Sequence, residues 1–393
     1  MPCTKVMTTL MFPIFIFLTY VPSMVLSQSF RSLQLPPKAF APESMAFESG
    51  PVTRRFYVGI ADGRILQFNG PRVGFLDFGF TSPNRSKRLC DGTTDPNLGP
   101  TCGRPLGLAF HYPSNKLYVC DAYFGLMVLG SAGKQATRVS DTADGQPYRL
   151  CNGLDVHQLT GNVFFTDTSS VYDLRNASKA LNANDTTGRL LMYDPDTDRV
   201  TVLMKNLSGP AGVAISQDGA YVLVSNFIGN NTIRYWLRGP RANTYDSIDF
   251  QERPDNIRRT VVGEFWRAAA MLKQPTQSLI PVAQRIDVFG RVSRTVNLEA
   301  CVGRRSSCHP GDLLGRHVFP TSYERDCMCH ARSNTLGIRS HSTEGIRPRA
   351  SDRGHSSELC EGKRNHARSR RNAWRPTRLP GVHGNLCWET ATP

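Results

Sequence analysis

Four oxygen-bearing side chains stand at the starts of short apolar segments of the chain: Glu43, Asn152, Asp255 and Asn256. Carboxylate and amide oxygens are the donors that Ca²⁺ takes in proteins, and a bound cation can polarise an ester carbonyl or activate water. Such chemistry requires the four side chains to converge, so the segments that carry them must surround a common axis. The other interpretation is that these groups satisfy strand ends and one another around a water-filled channel.

The segments that carry these residues belong to a repeat. An apolar strand, a tight turn and a second strand rich in β-branched and aromatic residues start at positions 105, 151, 210 and 254, and an insertion around 173–187 stretches one interval. An earlier copy starts at Glu43, which makes five starts. Units of four strands are the blades of a β-propeller, whose innermost strands begin at the central channel. The sequence therefore predicts an all-β propeller in which the four side chains meet.

The repeat ends near residue 300. Residues 301–393 contain 16 Lys and Arg against 8 Asp and Glu, and thus hold more than half of the net charge of +15. No strand rhythm continues there, although a propeller needs a closing blade to protect its sheet edges. We predict that this tail is a disordered basic extension or the product of a frame-shifted gene model. A Cys/His metal module is a third possibility, which the spacing of Cys327 and Cys329 disfavours.

The N-terminus predicts secretion. Lys5 precedes an apolar run over 7–26, and small residues before Gln28 form a cleavage site, so residues 1–27 are interpreted as a signal peptide. A membrane anchor is the alternative, because the run is long enough to span a bilayer; after cleavage no stable membrane span is expected. Five glycosylation sequons follow, at Asn84, Asn176, Asn184, Asn206 and Asn230. We expect a monomer outside the cell or in the vacuole.

The cysteines of the repeat region fit an oxidising compartment. Cys90 and Cys102 flank a short loop rich in Asp, Thr, Gly and Pro, which predicts a local disulfide, with two free thiols as the alternative. Cys120 and Cys151 lie in or next to strand-like segments and are interpreted as buried, unbridged residues. Nucleic acid is not an expected partner, because the excess basicity belongs to the tail of a secreted chain. No G-x-S-x-G elbow or P-loop is present, which argues against serine hydrolases and nucleotide enzymes.

The motifs of the repeat region resemble those of the plant strictosidine-synthase-like family. The resemblance is strongest over residues 152–167 and includes Cys102–Pro105, Gly188–Leu190, Arg234–Leu237 and Gly263–Trp266. It covers residues 28–300, with the conserved region at about 151–238, and stops where the tail begins. The resemblance implies a six-bladed propeller with its pocket at one mouth of the channel, similar to paraoxonases and gluconolactonases. The last blade is then missing or replaced by the unrelated tail.

The resemblance also implies which chemistry to expect. The family's founding reaction condenses tryptamine with the aldehyde secologanin and needs a Glu in the last blade. This chain has no Glu between Glu299 and Glu324, and an aromatic residue of the family's indole slot aligns with Asn152, while Phe227 matches another pocket aromatic. We therefore expect no strictosidine synthase activity.

The four oxygen-bearing residues look like the metal-ligand positions of calcium-dependent lactonases, although Ala211 and Leu106 depart from the paraoxonase pattern. Three functions stay open: a metal-assisted esterase or lactonase acting on a small organic molecule, a non-catalytic binding propeller, and a lyase that condenses an amine with an aldehyde.

Overall fold

The computed structural model describes residues 29–48, 55–299, 318–320, 327–333 and 383–390, all of which belong to one compact unit. The predicted signal peptide and most of the basic tail, including residues 301–317, where the family's last blade would be expected, lie outside the described residues. No helix in the described part of the chain is long and apolar enough to cross a membrane.

Five antiparallel sheets, each of four consecutive or nearly consecutive strands, make five blades. The first contains β2 (Met45–Phe47), β3 (Phe56–Gly59), β4 (Arg64–Phe68) and β5 (Phe75–Phe80), with the short β9 (Lys134–Gln135) beside β5. The second contains β6 (Pro105–His111), β7 (Lys116–Asp121), β8 (Gly125–Leu129) and β10 (Thr137–Ser140). The third contains β13 (Cys151–Val156), β14 (Val163–Asp167), β15 (Gly188–Asp194) and β16 (Arg199–Leu207).

The fourth blade contains β17 (Pro210–Ile215), β18 (Tyr221–Asn226), β19 (Asn231–Trp236) and β20 (Tyr245–Phe250). The fifth contains β21 (Ile257–Arg259), β22 (Phe265–Lys273), β23 (Ser278–Ile286) and β24 (Val292–Asn297). A small hairpin is made by β11 (Thr142–Ala143) and β12 (Gln146–Pro147). The helices are α1 (Lys87–Cys90), α2 (Gly99–Cys102) and α3 (Ala177–Asn182), with 3₁₀ turns at Pro96–Leu98 and Leu174–Asn176.

The all-β propeller is confirmed, and each of the five starts found in the sequence begins a blade. The described residues form five such blades rather than the six that the family resemblance implies. A further sheet joins β1 (Ser29–Gln34) to three strands of the tail, in the order β1, β27 (His383–Thr390), β26 (Cys327–Ser333) and β25 (Val318–Pro320). The tail therefore contributes strands that its sequence pattern does not predict. That the tail is a disordered extension or the product of a frame-shifted gene model stays a prediction.

The blades hold together through apolar side chains that neighbouring sheets share. Phe164 and Leu190 of the third blade pack with Val213 and Val222 of the fourth in one buried cluster, and similar clusters join the other adjacent blades. All six residues of β17 and all five of β14 are buried, because strands near the channel are covered on both faces. This burial explains why the first two strands of each unit carry continuous apolar runs.

The innermost strands approach one another through glycine. A Cβ atom on Gly107, Gly153 or Gly212 would lie 2.3–2.5 Å from a carbonyl oxygen of the next blade, that of Asn152, Ala211 or Asp255 respectively. This distance is shorter than real Cβ contacts allow, so glycine sets the spacing between neighbouring innermost strands. The backbone of the predicted site residues is thus positioned by the preceding blade.

Gly212→Ala is expected to destabilise the protein by about 1–3 kcal/mol, because the added methyl group must push the fifth blade away. Gly130→Ala is the matched control, since a Cβ there has nothing within 4 Å and the site is exposed; we expect a change within about 0.5 kcal/mol. Urea unfolding followed by intrinsic fluorescence measures both variants. Equal stability of the two variants would show that the blades are not packed this closely.

Two disulfides are present among the described residues, one within a loop region and one between two blades. The predicted bridge between Cys90 and Cys102 is present. The interpretation of Cys120 and Cys151 as unbridged is wrong: both are fully buried, as expected, but they form a disulfide that links β7 of the second blade to β13 of the third. The sequence could not show this pairing, because the two cysteines come together only when adjacent blades pack side by side.

Candidate functional site

The starts of the innermost strands surround a cavity at one mouth of the channel. Its walls combine many apolar side chains with a few polar ones: Glu43, Leu106, Leu150, Asn152, Thr168, Leu174, Ala177, Ala180, Leu181, Ala211, Phe227, Ile228 and Asp255. The space inside is about 50 Å³, which holds a few water molecules. A larger ligand requires part of the wall to move.

The structure brings three of the four predicted oxygen donors to this cavity. Glu43, Asn152 and Asp255 line it, and they come from the first, third and fifth blades. Asn256 does not line it, which corrects its assignment to the cavity. Its side chain is buried, and its Nδ2 donates to the carbonyl oxygen of Glu43 at 3.4 Å. Asp255 thus contributes its side chain to the cavity wall, whereas the Asn256 side chain is hydrogen-bonded to the backbone of Glu43.

Glu43 is held by a cation that the sequence analysis missed. The Nη2 of Arg104 lies 3.1 Å from the Oε2 of Glu43, and both side chains are buried. The Nη1 of Arg104 donates to the carbonyl oxygen of Ala41 at 2.7 Å. The ion pair therefore fixes one oxygen of the Glu43 carboxylate and holds the side chain in one orientation. It also balances the charge of Glu43, which reduces the negative potential in the cavity.

Asn152 is oriented by a chain of hydrogen bonds that crosses two blades. Its Nδ2 donates to the Oγ1 of Thr168 at 3.0 Å, and that hydroxyl donates to the carbonyl oxygen of Pro210 at 2.8 Å. With the amide nitrogen used in this way, the oxygen of the Asn152 side chain is the acceptor that remains to be shared with a ligand or cation.

A short helical segment covers part of the cavity. The 3₁₀ turn Leu174–Asn176 and helix α3 place Leu174, Ala177, Ala180 and Leu181 in the cavity wall. From the sequence alone this stretch is interpreted only as an insertion. Its apolar residues recur at intervals of three or four, which is the periodicity of one helical face and is the signal that could have identified it.

Phe227 lines the cavity immediately after β18, as the family resemblance implied. Its ring lies under the guanidinium of Arg253, whose Cζ is 5.4 Å from the ring centroid. A cation over the ring face and an apolar cavity beside it hold the ring as a wall. The predicted disulfide of Cys90 and Cys102 lies outside this cavity.

Four of the five predicted glycosylation residues lie in turns or at a helix end, and Asn206 lies near the end of β16. Asn84, Asn184 and Asn206 are exposed, whereas Asn176 and Asn230 are half-buried and use their side chains in hydrogen bonds to Asp173 and to the backbone of Arg253. Glycosylation stays a prediction for all five, and the exposed three are the more accessible.

The sequence and the fold are similar to those of known proteins. The strictosidine synthase family model matches residues 152–240. The Arabidopsis thaliana protein STRICTOSIDINE SYNTHASE-LIKE 12 is 41% identical over 275 residues, 69% of this chain and 80% of the relative. Strictosidine synthase from Catharanthus roseus is 33% identical over 312 residues, 78% of this chain and 83% of that enzyme.

Two solved structures share the fold at a TM-score of 0.51. A gluconolactonase from Xanthomonas campestris is 16% identical, over 76% of this chain and 86% of that one. A calcium-binding protein, regucalcin, from Agrobacterium tumefaciens is 14% identical, over 77% of this chain and 86% of that one. At these identities the likeness extends to the propeller fold alone.

Proposed function

The chain belongs to the strictosidine synthase family, and on this premise we propose that it hydrolyses a small ester or lactone in the capped cavity. We further propose that it works in the secretory pathway, outside the cell or in the vacuole, and that it does not condense amines with aldehydes. The observation that carries the proposal is the composition of the cavity: apolar walls with Glu43, Asn152 and Asp255 together at one mouth.

The cavity wall supports a ligand with an apolar body and one polar group. Leucine, alanine and phenylalanine side chains form most of the wall, and the polar side chains provide the few fixed contacts that orient a ligand. Because the enclosed space is small, the ligand must displace the cap formed by residues 174–182. A short connection on each side links this cap to β14 and β15 of the third blade. This arrangement favours compact substrates.

The proposal excludes the condensation because of the sequence after the fifth blade. The family's acid and base is a Glu of the last blade, and no Glu occurs between Glu299 and Glu324. That segment lies outside the described residues, so this part of the proposal rests on the sequence. Glu43 does not take over the acid and base role of the family's Glu, because its carboxylate is already paired with Arg104.

Calcium is the cofactor we propose for the hydrolysis. The donor chemistry fits: Glu43, Asp255 and Asn152 offer only oxygen atoms, which a hard cation prefers. Among the described residues no three Asp, Glu, His or Cys side chains form a metal-binding group. With two carboxylates, one of them shared with Arg104, binding is expected to be weak, in the range of about 10⁻⁴–10⁻³ M found in extracellular modules.

The residues of the chain then have separate tasks. Asp255, the amide oxygen of Asn152 and the Glu43 carboxylate would hold the ion, and a bound calcium ion would supply polarisation of the substrate carbonyl. Arg104 keeps the Glu43 carboxylate in place, Thr168 keeps the Asn152 amide in place, and the ring of Phe227 packs against the apolar body of the substrate.

Asp255→Ala is expected to remove both calcium-dependent thermal stabilisation and ester hydrolysis, because it deletes a carboxylate of the cavity. The experiment measures the melting temperature with and without calcium, and turnover of a panel of small esters and lactones. Asp196→Ala is the control, since Asp196 is exposed and lies outside the cavity. Tryptamine with secologanin, added as a further substrate pair, is expected to give no condensation product.

The results separate the proposed function from its alternatives. Hydrolysis that is indifferent to calcium and to Asp255→Ala would contradict the proposed site. No turnover of any ester or lactone, together with a ligand that binds the cavity, would favour a non-catalytic propeller that uses the same mouth for binding. Formation of a condensation product would show that the chain catalyses the family's founding reaction, and would contradict the proposed hydrolysis as its main activity.

A further inference from the structure

A second cavity occupies the opposite end of the channel. The innermost strands start at the cavity described above, and their other ends, with the residues that follow them, surround a space of about 190 Å³. Its apolar wall includes Met45, Phe47, Phe110 and Val156, and its charged groups are those of Asp155, Arg258 and Arg259. A cavity of about 150 Å³ is large enough for benzene, so this one accommodates a single aromatic ring or a short aliphatic chain.

Arg258 closes the inner end of this second cavity. Its guanidinium donates to the carbonyl oxygens of Leu154, at 3.3 Å, and of Leu108, in the third and second blades. It also reaches the Oγ of Ser44 at 3.3 Å, in the segment that leads into the first blade. A cation from the fifth blade therefore bridges three other blades across the channel. Its charge is only partly offset by Asp155, whose Oδ1 is 4.0 Å from Nη1.

Arg259 adds a second cation to the same wall. Its Nε donates to the carbonyl oxygen of Ile215 at 3.0 Å and its Nη1 to that of Thr260 at 3.3 Å, while Nη2 has no hydrogen-bond partner among the described residues. The two carboxylate oxygens of Asp155 accept hydrogen bonds from the backbone N–H groups of Val156 and Ile215 rather than from Arg259. Two guanidinium groups therefore face one carboxylate that is already held in place.

Among the charged side chains that line this cavity, the two guanidinium groups outnumber the one carboxylate. An anion is therefore favoured over a cation at this mouth.

We propose that the second cavity is a binding site for a small organic carboxylate with an apolar body, whose carboxylate binds Arg259 and is attracted by Arg258. Guanidinium and carboxylate groups match in shape and charge, and the side chains of Phe47, Phe110 and Val156 provide the surface on which the body packs. The site is distinct from the proposed hydrolytic cavity and does not depend on it, because the two cavities have no lining residue in common.

The test uses the full chain and benzoate as the probe, with benzyl alcohol as its uncharged analogue. Isothermal titration calorimetry is expected to show binding of benzoate and not of benzyl alcohol. Arg259→Gln is expected to weaken benzoate binding by about tenfold or more, as the loss of a hydrogen bond to a charged group does. Arg72→Gln, which removes an equal charge at an exposed turn, is expected to leave the affinity unchanged.

A second pair of variants keeps the test decisive if Arg259→Gln folds poorly. Val261 lines the cavity and is 63% exposed, so Val261→Asp and Val261→Asn should both fold. We expect Val261→Asp to weaken benzoate binding through its negative charge and Val261→Asn to retain it. Equal affinity of these two variants, binding of benzyl alcohol as tight as that of benzoate, or loss of binding in Phe227→Ala at the opposite mouth would overturn the proposal.

Discussion

Asp167→Ala is expected to lower the free energy of unfolding by about 3–5 kcal/mol, the usual cost of leaving a buried charge without its partner. Asp167 is fully buried at the end of β14, and its Oδ2 accepts hydrogen bonds from the Nε and Nη2 of Arg189 at 3.1 and 2.6 Å. Arg189 is buried as well. Without the carboxylate, the guanidinium stays in the interior of the third blade with its charge uncompensated.

The same substitution frees two backbone donors next to the candidate site. The Oδ1 of Asp167 accepts the N–H groups of Arg149 and Leu150 at 3.1 and 2.9 Å. Burial raises the pKa of this carboxyl, and the hydrogen bonds from Leu150 and Arg189 oppose that rise. Leu150 lines the cavity and Asn152 follows two residues later, so Asp167→Ala should also loosen the wall of the first cavity.

Asp144→Ala is the control for this prediction. Asp144 pairs with Lys205 at 2.9 Å, and both side chains are more than half exposed, so its loss should cost less than about 1 kcal/mol. Urea unfolding of the two variants beside the wild type provides the comparison. A loss for Asp167→Ala as small as that for Asp144→Ala would show that the interior pair contributes little net stability.

The fold could be predicted largely from the period of the sequence. The alternation of apolar strand, tight turn and second strand marks the innermost two strands of every blade, because those strands are buried on both faces. The partners of buried polar residues could not be predicted. Asp167 is visible in the sequence as the last residue of a strand, but Arg189 lies 22 residues away in the next strand. Only the register of β14 and β15 brings them together.

The candidate site could be predicted to a similar extent. Glu43, Asn152 and Asp255 occupy equivalent positions in three blades, so the repeat alone brings them to one mouth. Arg104 could not be found in this way, since it precedes a strand in the second blade and reaches back 61 residues to Glu43. The placement of Asn256 was also missed, because it lies in the irregular segment before β21, where strand periodicity does not apply.

Replacement of both Cys120 and Cys151 by alanine is expected to cost about 2–4 kcal/mol of stability, because the bridge restricts the unfolded chain. The two cysteines are 31 residues apart and join neighbouring blades, whereas Cys90 and Cys102 are 12 residues apart within one loop region. Since the entropic effect grows with the logarithm of loop length, removal of the longer bridge should cost about 0.8 kcal/mol more than removal of the shorter one.

The two double variants therefore serve as controls for each other, and a reduced sample of the wild type separates the bridge from the packing of the side chains. If the bridge between blades forms in solution, unfolding in urea under oxidising conditions gives a lower midpoint for the variant lacking Cys120 and Cys151, and reduction of the wild type lowers its midpoint as well. If reduction lowers the midpoint of the wild type only by the amount that the variant lacking Cys90 and Cys102 loses, then Cys120 and Cys151 are two buried thiols. The second and third blades are in that case joined only by non-covalent contacts, among them their shared apolar cluster and the hydrogen bonds of Gln158 to Phe110 and Tyr112.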